Sequence, residues 1–149
     1  MSKQEEANLI LKLYELRREE TLRTARDWYF REFNPQTIED FQAAIMGPHS
    51  GHLRMVVTYW DMAAAFVNSG AISMELFTDC NGEHIGTFMK IEALLPQIRK
   101  MFGPKFAVNL EKLIDAQPDG RAAVAAMRER MKGILEMLKA QQAAAASKA

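Results

Sequence analysis

The chain has a single cysteine, Cys80, among 149 residues, so no intramolecular disulfide is available and a disulfide-stapled secreted scaffold is excluded. It has no excess of either charge: nineteen Lys and Arg balance nineteen Asp and Glu. That removes the electrostatic footprint with which nucleic-acid-binding and anionic-membrane-binding domains hold phosphates, and no nucleic-acid partner is expected. Met1 to Glu6 lacks both a basic n-region and an apolar core, so a signal peptide is not expected and a cytoplasmic setting follows. The most apolar stretch, Gly51 to Gly70, carries Arg54 and Asp61 and ends in glycine, which argues against a transmembrane segment. No stretch alternates at period two over a strand's length, and no internal repeat is visible. The eight glycines are dispersed at helix ends rather than gathered into a phosphate-binding loop.

What remains is helical periodicity. Hydrophobic residues make up 48% of the chain, enough for one domain with a real core, expected over residues 1–140. Within Gly51–Gly70, Leu53, Val56, Val57, Trp60, Ala63, Ala64 and Val67 share one face, and Met55, Tyr59, Met62 and Phe66 cover most of the rest. A helix apolar nearly all round belongs at the centre of a bundle. The expected fold is therefore an all-α, single-domain bundle of six or seven helices around residues 51–70.

The other helices follow from their stop signals. A first helix should run from about Lys3 to Glu32, with no Gly or Pro inside it. Ile10, Leu11 and Tyr14 continue the stripe of Leu22, Ala25, Trp28 and Tyr29, while Leu9, Leu13 and Leu16 fall on the opposite side. Thr37 with Asp40 can cap a short helix, and Gly70 suits the left-handed residue that ends the central one. Ser73 and Glu75 begin another. Pro96 should kink or divide the helix containing Ile85 to Ile98. From about Arg121, Val124, Met127, Met131, Ile134 and Leu138 make a heptad seam. Residues 141–149 have helical propensity but nothing to bury, and should fray.

Candidate chemistry is sparse. His49, His52, Cys80 and His84 are all the His and Cys residues of the chain, arranged as two short pairs of the residue types that zinc takes in a tetrahedron. Cys80 with His84 could form a nucleophilic dyad, against the plainer reading of Cys80 as a small buried thiol. A carboxylate-bridged iron site needs Glu-x-x-His pairs, and Met46, His49 and Asn81 stand three residues before the three histidines. Asp61 and Glu75 are explained by the polar strip and by a helix's first turn. An apolar ligand could lie among Met55, Met62, Met89 and Phe66 in the bundle interior.

Tyr59-Trp60, Ala63, Val67, Gly70-Ala71-Ile72, Leu76-Phe77 and Leu95-Pro96-Gln97-Ile98-Arg99 resemble the pattern of an uncharacterised family of small bacterial all-helical proteins. The resemblance covers Arg54 to Phe102, about the middle third. It implies an all-helical fold and no assigned activity. Members often carry an N-terminal membrane helix, from which this chain departs, because Leu9 to Leu16 is short and interrupted by Lys12 and Glu15.

The functional expectation is a non-enzymatic interaction or scaffolding module, the rival being a small-molecule- or metal-binding helical protein. Two apolar strips, Leu9, Leu13 and Leu16 on the first helix and Met127, Met131, Ile134 and Leu138 on the last, point to a homodimer.

Overall fold

Every regular element of the computed structural model, which describes residues 2–148, is helical: nine α-helices and one 3₁₀ turn among the described residues, with no strand. Residues 1 and 149, the outer ends of the expected domain and tail, lie outside the described residues. The helices are α1 (Lys3–Arg18), α2 (Glu20–Arg31), α3 (Ile38–Ile45), α4 (Ser50–Asn68), α5 (Met74–Cys80), α6 (Glu83–Met89), α7 (Leu95–Phe102), α8 (Val108–Ala116) and α9 (Gly120–Ser147).

The helix count exceeds six or seven for two local reasons. Glu19 breaks the expected Lys3–Glu32 helix. Its backbone is extended (φ −60°, ψ 138°), and its carboxylate accepts the main-chain N–H groups of Thr21 and Leu22, each at 3.0 Å. Those bonds satisfy donors that a helix start leaves open, and they hold the carboxyl below its ordinary pKa. The other break lies ahead of Pro96. α6 stops at Met89, a 3₁₀ turn spans Glu92–Leu94, and α7 restarts with Pro96 in its first turn, where its missing N–H costs no hydrogen bond.

The break at Glu19 also corrects the face assigned to α1. Ile10 packs on the core as expected and Leu16 is exposed, but Leu13 is only 3% exposed and Leu9 packs with it, whereas Leu11 is 58% and Tyr14 49% exposed. The sequence-based faces assumed one unbroken helix. One non-helical residue resets the rotation between α1 and α2, so a stripe read on α2 cannot be carried back. Tyr59 then fastens α1 to α4 by donating its hydroxyl to the carbonyl of Leu13.

α4 packs against α2, α3, α6 and α8. Leu53, Val56, Val57, Trp60, Ala63, Ala64 and Val67 are buried on it, as its pattern predicts. It ends in a Schellman motif: Ala71 N–H reaches the carbonyl of Phe66 at 2.9 Å and Gly70 N–H that of Val67 at 3.0 Å. Gly70 has φ +86°, a conformation that a Cβ would strain. Thr37 and Asp40 form the expected capping box on α3, and Ser73 caps α5.

α9 packs its first half on α6 and α8. Val124 is buried, and Met127 and Met131 are half-buried. Gly86 of α6 permits the approach, since a Cβ there would meet the Met127 sulfur at 3.1 Å and the Phe30 ring at 3.3 Å. From Lys132 onward every described side chain is exposed, and the helix continues to Ser147 through the alanine-rich segment. Among the described residues, no helix is long and apolar enough to cross a membrane.

Candidate functional site

The four zinc candidates lie in different surroundings. His49, at the start of α4, is exposed, with its ring 5.2 Å from that of Trp28 and 5.4 Å from that of His52. His84, in the first turn of α6, is 1% exposed, and its ring lies 6.1 Å from that of Trp60 and 5.1 Å from that of Phe77. Cys80 ends α5 as an exposed, free thiol, which corrects the reading of it as buried. A short helix that turns only Phe77 fully inward leaves its last residue in solvent. Among the described residues, no group of three or more His, Cys, Asp or Glu is placed to hold one metal ion.

His84 has a structural partner instead. Its Nε2 lies 2.9 Å from Oε1 of Gln117, which puts the ring proton on Nε2, and its buried Nδ1 has no hydrogen-bond partner among the described residues. Neither ring nitrogen is hydrogen-bonded to the Cys80 thiol. Desolvation lowers the pKa of this ring, opposed by the bond to Gln117. Protonation would bury an unpaired donor between two aromatic rings.

The acidic candidates also have local work. Asp61 reaches across to α8, accepting the N–H of Leu110 at 2.9 Å and the side-chain amide of Asn109 at 3.2 Å. Glu75 lies in the first turn of α5, where a carboxylate faces the positive helix end.

Two polar clusters escaped the sequence reading, because each joins residues far apart in the chain. Arg26 forks onto Glu83 through Nε (2.7 Å) and Nη2 (2.6 Å), and the same carboxylate lies 3.4 Å from the indole nitrogen of Trp60. The guanidinium of Arg17 lies 5.5 Å from the ring centres of both Tyr14 and Trp60. The bond to Glu83 raises the pKa of Arg26, against the opposing effect of its burial. In the second cluster, Arg121 meets Glu92 and Glu111 at 2.9 Å and Asp115 at 2.7 Å, Arg99 meets Glu111 at 2.8 Å, and Arg128 meets Glu92 at 2.6 Å. Three arginines face three carboxylates. The charges are consumed within the fold, tying α7, α8 and α9 together.

Nor do the methionines line a hollow interior. Met62 is exposed, and Met55, Met89 and Phe66 sit at the margin of the core. Met55 and Met62 edge an open furrow with Leu16, Leu22 and Tyr59. Met89 belongs to a cleft of about 380 Å³ beside α9, with Pro35, Lys90, Leu94, Met131 and Leu135 among its walls. Lys90 closes the end of α2 there, donating to the carbonyls of Phe33 (2.6 Å) and Phe30 (3.3 Å) and to Oδ1 of Asn34 (2.9 Å). Burial pushes its pKa down to about 8.

The outer half of α9 carries an unclaimed apolar strip. Ile134, Leu135, Met137 and Leu138 are 47%, 43%, 60% and 48% exposed. Half-buried Met131 belongs both to this strip and to the cleft beside it. The chemistry such a surface supports is apolar packing rather than bond-making.

No curated protein matches the chain, and neither does any solved structure. A family model described as a domain of unknown function, DUF4760, matches residues 4–117. The match extends on both sides of the Arg54–Phe102 stretch, covers nearly all of α1 to α8, and stops at the turn before α9. Spanning well over half of the chain, it shows that the protein belongs to the DUF4760 family, whose description assigns no activity.

Proposed function

We propose that this protein is a non-enzymatic interaction module: a single helical bundle organised around α4 that self-associates through the outer half of α9. One observation carries the reading. The stripe that begins with buried Val124 and half-buried Met127 and Met131 continues past the body into Ile134, Leu135 and Leu138, where none of the described residues covers it. An apolar strip of this kind marks an interaction surface, and a closed two-fold dimer is the commonest way to cover one. The balanced net charge does little to oppose self-association. A cytoplasmic setting belongs to the same reading, since the free thiol of Cys80 is exposed and suits a reducing compartment.

Leu13 drops out of the interface because it is buried within its own chain, and Leu9 packs on the core with it. Light scattering over a micromolar concentration series tests the proposal. The expected mass is twice the 16.9 kDa of one chain. Ile134→Glu with Leu138→Glu should return the monomer with its helical circular dichroism intact, because both side chains are exposed in the single chain. A monomer mass at every concentration would overturn the proposal.

A further inference from the structure

The outer half of α9 has two unlike ends. Beyond Arg128, whose charge Glu92 meets at 2.6 Å, Glu129 to Lys139 carries three basic residues (Arg130, Lys132, Lys139) against two acidic ones (Glu129, Glu136), together with all the bulky side chains of the strip. From Ala140 to Ser147 there is no charge and no side chain larger than glutamine. Parallel pairing of two such helices would set positive segment beside positive segment and bulk against bulk, leaving alanine opposite alanine. Antiparallel pairing centred on Glu136 keeps Ile134 and Leu138 together at the middle, sets Met127 and Met131 of each copy against the small, neutral segment of the other, and also opposes the two helix dipoles.

Area favours the same arrangement. Residues 132–147 span about 24 Å, which at a helix width of about 10 Å gives a footprint of roughly 240 Å². Even doubled for side-chain relief, this falls short of the ~800 Å² that each partner contributes to a specific interface. Parallel tails touch only each other. An antiparallel tail runs back along its partner's body, past Met131 and Leu135, which are walls of the cleft shared with Pro35, Met89 and Leu94. Short alanine side chains let a helix backbone lie close against such a cleft.

We infer, resting on the self-association proposed above, that the dimer is antiparallel and that each chain's Ala140–Ser147 segment lies against the Met89–Met131–Leu135 cleft of a second copy. The heptad seam then sets Ile134 opposite Leu138 of the second copy, and Met131 opposite Gln141.

Disulfide trapping in a full-length Cys80→Ser background distinguishes the outcomes. The variant carrying both Met131→Cys and Gln141→Cys should form a covalent dimer on mild oxidation, while Met131→Cys alone should not. Positions 131 and 141 lie about 15 Å apart along one helix, so an intrachain bond is out of reach. Trapping by Met131→Cys alone indicates parallel helices and overturns the inference. A dimer mass with no trapping in either variant places the contact elsewhere and overturns it too, while leaving self-association standing. A monomer mass removes both. Ala93→Arg, at an exposed position on the cleft wall, should raise the dimer dissociation constant at least about tenfold, a change of about 1.4 kcal/mol. An unchanged constant would refute seating in the cleft.

Discussion

The carboxylate of Asp61 accepts the main-chain N–H of Leu110 at 2.9 Å, so a side chain of α4 closes the open end of α8. α8 needs this help. The residue before it, Ala107, is left-handed (φ 53°) and has no side-chain oxygen to offer. We predict that Asp61→Ala destabilises the protein by ~1–2 kcal/mol, as loss of a helix cap does, and that Asp61→Asn costs less because its amide oxygen still accepts. Urea unfolding measures both. Equal stability of Asp61→Ala and the parent would refute the cap.

Trp60 is fully buried, with Tyr59, Phe77 and His84 packed around its ring. Truncation to alanine should cost ~3–5 kcal/mol. In a Trp28→Phe background its emission should be that of an indole shielded from water, and a water-like maximum would contradict its place in the core.

The shifted face of α1 has a direct test. Leu13→Ala should cost ~2–5 kcal/mol, because it empties a core site, whereas the exposed Leu11→Ala should stay within ~0.5 kcal/mol. Similar costs for the two would restore the unbroken-helix reading.

Arg26 and Glu83 join α2 to α6 with side chains that are 26% and 19% exposed. That burial puts the pair between a surface ion pair and a fully buried one. A double-mutant cycle with Arg26→Met and Glu83→Gln should give a coupling of ~0.5–3 kcal/mol. Additive single effects would show that the fork contributes nothing as a pair.

Acid should weaken the fold through His84. Its folded-state pKa is lowered from the ordinary 6.5 by desolvation, so the unfolded chain binds the proton first. The full contribution is present above pH 6.5, and stability is lost as pH falls below 6.5 towards the folded-state pKa. Unfolding at pH 7.5 and pH 5.5 should show this loss in the parent and a smaller one in His84→Gln, whose amide does not titrate there. An unchanged pH dependence in the variant would assign the loss to other groups.

The all-helical class, the burial along α4 and most helix ends were legible in the sequence because their causes are short-ranged. Gly70 ends α4 through its own backbone freedom, Thr37 and Asp40 cap α3 within one turn, and Val56, Val57, Trp60 and Ala64 repeat at helical spacing. Glu19 was not legible. Glutamate is an unusual N-cap, neither Gly nor Pro marks the site, and missing that one residue misplaced Leu9, Leu11, Leu13 and Tyr14 on α1 while leaving Ile10 inward. Nor could local spacing show that His84 meets Gln117, that Arg26 meets Glu83, or that Asp61 caps α8, since those pairs are 33, 57 and 49 residues apart. Local hydrogen bonding and side-chain period are written along the chain. Which polar group reaches which, and which apolar strip is left uncovered, depend on how the helices are packed, and only the tertiary structure decides that.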